Sequence, residues 1–233
     1  MGVSVKLRSS FKSATLAVTL ALTVSALFSQ APANASQQGA SATGHNSKVV
    51  CTATSAVGHQ PKQVPTPKVA RTYTNKTFTL VTNCGTIVIA ADGKNAPVTV
   101  QVMQDLATAG YFNNSLCHRL TTAGLYVLQC GDPTASGSGG PAFTYGNENL
   151  PAASENNYPA GVVAMANTGQ PNSNGSQFFL VYQNTTLAPS YTRWGTILKG
   201  LNIVQAIAAQ GVAGGGSDGT PAQKIAIESV SVR

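Results

Sequence analysis

Short runs that mix apolar with polar or β-branched residues recur along the last two thirds of the chain. They predict strands at residues 78–82, 86–90, 116–120, 126–130, 162–167, 177–182, 193–198 and 225–232. Two other segments repeat apolar residues at helical spacing. One helix is predicted from Pro97, at the first helical position, to Gly110, and a second over residues 201–209. Many short strands with two helices favour a closed β-barrel over a doubly wound sheet.

Residues 36–76 show no such pattern. They are rich in Ser, Ala, Gln and Thr, with Pro61, Pro65 and Pro67 near the end of the segment. A segment that lacks a repeating apolar face has little surface to bury against a core. We therefore predict an extended, mostly disordered linker between the N-terminus and a folded domain at residues 77–233.

The first 35 residues have the organisation of a secretory signal peptide. Lys6, Arg8 and Lys12 precede an apolar run at residues 14–28, and Ala33-Asn34-Ala35 follows as an A-x-A cleavage site. An uncleaved membrane anchor is the alternative, but the run is shorter than the ~20 residues that span a bilayer. The sequence therefore predicts a secreted or extracytoplasmic protein.

The positive charge is concentrated outside the predicted domain. The formal net charge is +7, yet from Lys76 onward seven basic residues are matched by seven acidic ones. The excess therefore belongs to the signal peptide and the linker. A nucleic-acid-binding domain would carry a basic surface of its own, so we expect no nucleic acid partner.

The chain has four cysteines, Cys51, Cys84, Cys117 and Cys130. An even number in an exported chain favours disulfides. A zinc site is the alternative, but there is no C-x-x-C motif and His118 is the only histidine beside a cysteine. Strand alternation would point His118 and Cys117 to opposite faces, so we predict no metal site.

Two ordered motifs carry the clearest functional information. The first is Cys117-His118-Arg119-Leu120 followed by Gln129-Cys130-Gly131-Asp132-Pro133, and the second is Met165-Ala166-Asn167 followed by Asn172-Ser173-Asn174-Gly175-Ser176-Gln177-Phe178-Phe179. Together they resemble the cyclophilin family of peptidyl-prolyl cis/trans isomerases, and the resemblance extends from about residue 77 to residue 233. It implies a mainly β fold, an eight-stranded antiparallel closed barrel capped by two helices, with a substrate groove on the outer face. No cofactor is implied.

The implied reaction is rotation about an X–Pro bond, which proceeds unaided over a barrier of ~18–20 kcal/mol and takes tens to hundreds of seconds. Twisting the amide removes its resonance, so the nitrogen regains a lone pair. A donor that favours the twisted state lowers the barrier without any nucleophile, acid or metal. An isolated strand arginine is more often a surface ion-pair partner, but the surrounding pattern assigns the donor role to Arg119.

The resemblance also implies which side chains bind the peptide. Gln129 and Gln177 match polar groove residues, the backbone of Asn167 matches a strand that pairs with the peptide, and Phe179 matches the floor of the proline pocket. Further substrate-binding positions by the same comparison are Tyr126, Val127, Gly137, Ala166, Thr168, Leu187 and Tyr191. His118 matches a structural position.

Parts of the pattern differ from the commonest family sequence. The turn after Arg119 is two residues longer, Tyr126 and Val127 stand where Phe and Met are usual, and Tyr191 replaces a His. Thr186 stands where a Trp grips cyclosporin, so we expect weak cyclosporin binding. Family-like strand pairing would place Cys117 opposite Cys130, which leaves Cys51 to pair with Cys84.

We expect an isomerase that acts, as a monomer, on proline-containing peptides and on unfolded exported proteins. The main alternative is a binding module or chaperone that docks proline-containing segments without turnover. A secreted hydrolase is a third possibility, because residues 215–219 match G-x-S-x-G. No His follows Ser217, so the Ser…Asp…His order of such hydrolases cannot form, and we interpret the segment as a loop.

Overall fold

Ten strands and two helices succeed one another in the computed structural model, which describes residues 48–67 and 74–233. The strands are β1 Lys76–Thr82, β2 Gly85–Ala91, β3 Ser115–Leu116, β4 Arg119–Ala123, β5 Leu125–Cys130, β6 Val162–Met165, β7 Phe178–Val181, β8 Arg193–Lys199, β9 Asp218–Gly219 and β10 Ala226–Val232. The helices are α1 Pro97–Thr108 and α2 Leu201–Ala209. The predicted signal peptide and parts of the predicted linker lie outside the described residues.

All strands pair antiparallel in one sheet, in the order β3-β10-β1-β2-β8-β6-β7-β5-β4-β9. Strand β3 lies at one edge of this order and β4 is next to the other edge, yet only Cys117 and His118 separate the two strands along the chain. The bent segment from β3 to β4 thus pairs with β10 at its start and with β5 at its end, which closes the barrel. The predicted fold class is confirmed. The strand predicted at 116–120 is split into β3 and β4, and β9 is an addition.

Helix α1 begins where the sequence predicts, at Pro97, but its N-terminus is capped from elsewhere in the chain. Ala96 has no side chain that can cap. The Glu148 carboxylate instead accepts hydrogen bonds from the backbone N–H of Thr99 at 2.6 Å and of Val98 at 3.4 Å. A carboxylate at this end also suits the helix dipole.

Two apolar clusters lie on opposite sides of the sheet. The larger cluster fills the barrel and contains Phe78 and Phe178, whose rings each pack edge-on against Trp194, at 5.3 and 5.9 Å. The smaller cluster lies on the outer face and is built around Val127, Ala164 and Phe179. Alternation along β7 places Phe178 inside and Phe179 outside, so the same strand supports both the core and the groove.

Residues 48–67 form neither helix nor strand, but they lie against the barrel as a strap. The Cys51–Cys84 disulfide fixes one end, where the backbone N–H of Thr52 also donates to the carbonyl of Asn83 at 2.8 Å. Further along, the N–H of His59 donates to the carbonyl of Pro133 at 2.8 Å. This differs from the disordered linker predicted for residues 36–76. The prediction rested on the lack of a repeating apolar face in this segment. The contacts that hold residues 48–67 against the barrel are instead a disulfide and backbone hydrogen bonds, which that pattern does not reveal.

Within residues 48–67 and 74–233, neither helix is long and apolar enough to cross a membrane.

Candidate active site

The hairpin of β4 and β5 places the two most informative polar residues side by side, because its register pairs Arg119 with Gln129. The sequence predicts a turn at residues 121–124, but pairing continues to Ala123 and Leu125. Gly124 alone forms the tip, with a φ of 74° that favours glycine. The two additional residues therefore lengthen the hairpin and leave its turn tight.

Strand alternation corrects one predicted groove residue. Leu125, Val127 and Gln129 line the groove, while Tyr126 points away and packs edge-on against Tyr182 at 6.0 Å. Adjacent residues of a regular strand face opposite sides, so Tyr126 and Val127 cannot both line one pocket here. Leu125 occupies the place that the sequence assigned to Tyr126.

A chain of side-chain hydrogen bonds crosses the groove. Arg119 Nη1 donates to Gln129 Oε1 at 3.1 Å, and Gln129 Nε2 donates to Gln177 Oε1 at 2.7 Å. Gln177 Nε2 donates in turn to the carbonyls of Gly137 at 3.0 Å and Gly139 at 2.9 Å. Each amide thus accepts at one end and donates at the other, so the direction of every bond in the chain is fixed.

Arg119 also forms a bidentate ion pair that the sequence did not indicate. Its Nε and Nη2 donate to Asp218 Oδ1 and Oδ2, both at 2.7 Å. The hydrogen bond to Asp218 raises the pKa of the guanidinium, and the same bond lowers the pKa of the carboxyl. The ion pair and the position in the groove, which the sequence analysis treated as alternatives, coexist in the structure.

An apolar pocket of about 220 Å³ lies beside Arg119. Its lining comprises Arg119, Leu125, Val127, Gln129, Ala166, Asn167, Phe179, Leu187 and Tyr191. The ring of Tyr191 packs edge-on against Phe179 at 5.6 Å. Tyr158, which the sequence did not indicate, packs against the rings of both Phe179 and Tyr191, with ring centroids 6.2 Å apart in each case. Its hydroxyl donates to the Tyr191 carbonyl at 2.9 Å. The pocket is therefore a cup built mainly from packed apolar and aromatic side chains, with one cation at its edge.

A second pocket of about 370 Å³, lined mainly by glycines and uncharged polar side chains, adjoins the first and shares Gln129, Ala166 and Asn167 with it. The predicted residues Gly137, Thr168 and Gln177 line this second pocket and not the first. None of the side chains that line it is charged. The predicted groove residues thus lie around two adjoining pockets that share Gln129, Ala166 and Asn167.

The loop that forms one wall of the second pocket is folded around Asp132, whose side chain is buried. Asp132 Oδ2 accepts from the backbone N–H of Gly137 at 2.7 Å and of Gly139 at 3.0 Å, and Oδ1 accepts from the N–H of Thr134 at 2.8 Å. Burial alone would raise the pKa of this carboxyl. The Thr134 hydroxyl, which donates to Oδ1 at 2.7 Å, and the three backbone N–H groups outweigh burial and lower the pKa. A Cβ at Gly139 would overlap the carboxylate, which explains the glycine there.

Asn167 lies just beyond the end of β6, at the junction of the two pockets. Its side-chain Nδ2 donates to the carbonyl of Ser190 at 2.9 Å, which fixes the residue in place. Among the described residues, no hydrogen-bond partner uses the backbone N–H or C=O of Asn167. This leaves a free backbone edge of the kind with which an added strand pairs.

The cysteines pair as the resemblance implies. The disulfides are Cys51–Cys84 and Cys117–Cys130, so this prediction is confirmed. The second bridge links Cys130, the last residue of β5, to Cys117, which lies two residues before β4 begins. Within the described ranges, no group of three His, Cys, Asp or Glu side chains is placed to hold a metal ion.

The model of the family described as cyclophilin type peptidyl-prolyl cis-trans isomerase/CLD matches residues 77–232. Probable peptidyl-prolyl cis-trans isomerase B of Mycobacterium tuberculosis is 44% identical over 183 residues, which cover 73% of this chain and 59% of the relative. The Mycobacterium leprae protein of the same name is 43% identical, with 72% of this chain and 62% of the relative covered. The chain thus matches less than two thirds of the length of these relatives.

Among solved structures, a cyclophilin type peptidyl-prolyl cis-trans isomerase of Cryptosporidium parvum superposes with a TM-score of 0.60 at 23% identity, covering 69% of this chain and 98% of that one. A second crystal structure of that isomerase, in the presence of the dipeptide Ala-Pro, gives a TM-score of 0.59 at 23% identity and covers 67% of this chain and 98% of that one. At this identity the likeness shows the fold.

Proposed function

The chain belongs to the cyclophilin type peptidyl-prolyl cis-trans isomerase family, and from this premise we propose that it catalyses cis/trans isomerisation of X–Pro bonds. The observation that carries the proposal is the position of Arg119 at the edge of the apolar pocket, hydrogen-bonded to Gln129. A proline-sized cup beside a fixed cationic donor is what bond rotation requires. The family's named activity supports it, as does the crystal structure of the Cryptosporidium isomerase determined in the presence of the dipeptide Ala-Pro.

In the proposed mechanism the proline ring sits against Phe179 and Leu187, and the preceding residue extends along Asn167. Three of the five N–H groups of the Arg119 guanidinium are engaged by Asp218 and Gln129. Two remain, one on Nη1 and one on Nη2, for the substrate. They favour the twisted amide, because its nitrogen lone pair is no longer shared with the carbonyl and accepts a hydrogen bond more strongly than in the planar state.

The proposal is tested by exchange NMR on an Ala-Pro peptide with the wild-type chain, Arg119→Ala and Arg119→Lys. Removal of one preorganised donor of this kind lowers turnover by roughly 10²–10³-fold. We expect that loss for Arg119→Ala and only partial recovery for Lys, which lacks the planar fork. Arg233→Ala, at an exposed C-terminal arginine, is the matched control.

Two other results would each contradict the proposal. Wild-type activity that survives Arg119→Ala would remove Arg119 from the mechanism. A wild-type chain that shifts the peptide resonances without accelerating exchange would be a proline-binding module on the same fold.

We further propose that the protein is exported and acts on unfolded exported proteins. Two disulfides support an oxidising compartment, and the predicted signal peptide, which lies outside the described residues, supports the same location. N-terminal sequencing of the protein recovered from culture medium or cell envelope tests this. A start at Ser36 is expected, and a chain that begins at Met1 and stays in the cytoplasm would contradict it.

We propose weak cyclosporin binding and a monomeric state. Thr186 has an exposed side chain whose Oγ1 accepts from the backbone N–H of Asn156 at 2.8 Å, so it offers little surface to an apolar macrocycle. We expect Thr186→Trp to bind cyclosporin at least about tenfold more tightly by calorimetry, since an added aromatic ring buries a large apolar area. Sedimentation of the wild-type chain tests the monomer.

A further inference from the structure

We propose that Asp218 is a positioning residue for the isomerisation: its carboxylate holds the Arg119 guanidinium in the orientation from which the two remaining N–H groups reach the substrate. The inference rests on the proposed function, in which Arg119 is the donor. It adds a residue to the site that lies 99 positions away in sequence and belongs to a two-residue strand.

The barrel delivers Asp218 to this place through backbone pairing. Strand β9 pairs with β4 so that Thr121 lies opposite Asp218, and the N–H of Thr122 donates to the carbonyl of Ser217 at 2.8 Å. Arg119 is two residues from Thr121 on the same face of β4, which makes it the diagonal neighbour of Asp218. A long side chain reaches across such a diagonal. The register of the sheet thus determines the partner of Arg119.

Three contacts fix the plane of the guanidinium. Asp218 binds Nε and Nη2, each at 2.7 Å, and Gln129 binds Nη1 from the other side at 3.1 Å. A bidentate arginine–carboxylate pair is directional as well as strong. Without Asp218 only the Gln129 bond would remain on a long, flexible side chain that is 38% exposed. The Arg119 side chain would then regain rotamer freedom. A donor that is no longer held in the right orientation lowers the rate of the catalysed step.

A purely stabilising role for the pair makes a different prediction. The two side chains are 38% and 54% exposed, and ion pairs in contact with water add little to folding stability. If Asp218 served stability alone, its removal would slightly lower the free energy of unfolding. Turnover and the orientation of the Arg119 side chain would stay unchanged. The positioning role instead predicts a loss of turnover while the fold stays intact.

The experiment compares the full wild-type chain with Asp218→Ala, Asp218→Asn and Asp218→Glu, and uses Glu228→Gln at an exposed carboxylate of β10 as the matched control. Exchange NMR on an Ala-Pro peptide gives kcat and KM separately, thermal unfolding reports the fold, and the Nε–H resonance of Arg119 reports its orientation. We expect Asp218→Ala and Asp218→Asn to lower kcat by about tenfold, a smaller loss than complete misplacement of the Arg119 guanidinium would cause. The KM and the unfolding temperature should change little. Glu should recover most of the loss.

The remaining readouts follow from the same contact. In the wild type and in Asp218→Glu the Nε–H of Arg119 should be protected from water, whereas in Ala and Asn it should exchange rapidly. Salt at 1 M should lower wild-type turnover toward the Asp218→Ala value, because it screens an exposed pair, and should leave Asp218→Ala unchanged.

Wild-type turnover in Asp218→Ala would overturn the inference while leaving the proposed function intact. Increased turnover would also overturn it, since Asp218 would then withhold Arg119 from the substrate. A wild-type chain without isomerase activity would overturn the proposed function first, and the inference with it.

Discussion

The side-chain amide of Gln129 donates to the side-chain carbonyl of Gln177 at 2.7 Å, and this bond joins the two pockets of the groove. On one side it continues to Arg119, and on the other to the Gly137 and Gly139 carbonyls. Because each amide has a single orientation that satisfies both neighbours, we expect a change in the glycine loop to alter the position of Arg119.

This connection predicts that Gln129 and Gln177 act together. Gln129→Ala and Gln177→Ala should each reduce kcat/KM, and the double variant should lose less than the sum, with an interaction energy of about 1 kcal/mol. Exchange NMR on the four proteins measures it. Gln183→Ala, at an exposed glutamine near the end of β7, should behave as wild type. Strict additivity would show that the two amides work independently.

The buried carboxylate of Asp132 predicts a pH-dependent contribution to stability. Its pKa in the folded protein lies below the ordinary value of 3.8. The contribution is therefore complete above about pH 4 and is lost as the pH falls through the folded pKa. Asp132→Asn removes the charge and replaces one of the two acceptor oxygens by a donor, which leaves at least one backbone N–H of the loop without its acceptor, so we expect a loss of about 3 kcal/mol at pH 7.

Urea unfolding of both proteins between pH 7 and pH 2 measures this difference, and the two curves should converge at the acidic end. Glu155→Gln, at an exposed carboxylate, is the control and should follow the wild type throughout. A difference between wild type and Asp132→Asn that is independent of pH would contradict the assignment of an ionised Asp132.

The Cys117–Cys130 bridge should stabilise the hairpin that carries the site. It closes a loop with a sequence separation of 13, and a crosslink of that length contributes about 3 kcal/mol by restricting the unfolded chain. Replacing both cysteines by Ser should lower the free energy of unfolding by this amount in urea titrations. Mass mapping of the non-reduced wild type should recover the 117–130 linkage, and free thiols at both positions would rule the bridge out.

The Cys51–Cys84 bridge should hold the strap without supporting the barrel. In a Cys51→Ala/Cys84→Ala variant, we expect the amides of Thr52 and His59 to lose hydrogen-exchange protection, since they donate to Asn83 and Pro133 only while the strap is in place. Ile89, buried in β2, should keep its protection. The Cys117→Ser/Cys130→Ser variant is the reciprocal control, with a protected strap. Protection of His59 that survives loss of the bridge would show that backbone contacts alone suffice.

The sequence by itself determined the elements and the chemistry that local patterns encode. Alternating apolar residues located the eight principal strands, and Pro97 and Gly110 marked the limits of the first helix, because these features depend on neighbours a few residues away. The motifs around Arg119, Gln129 and Gln177 were long and ordered enough to indicate the family. The resemblance also implied the two cysteine pairs that the structure contains.

Only the tertiary structure decided which distant residues meet. Asp218 stood in a glycine-rich stretch with no basic neighbour to suggest a partner, and the register of β9 against β4 brought it to Arg119. The same applies to Leu125, which replaces Tyr126 in the pocket because the hairpin pairs as far as Gly124, and to the strap, whose order depends on a disulfide and on backbone hydrogen bonds. Contacts of this kind depend on closure of the whole barrel, which no local pattern contains.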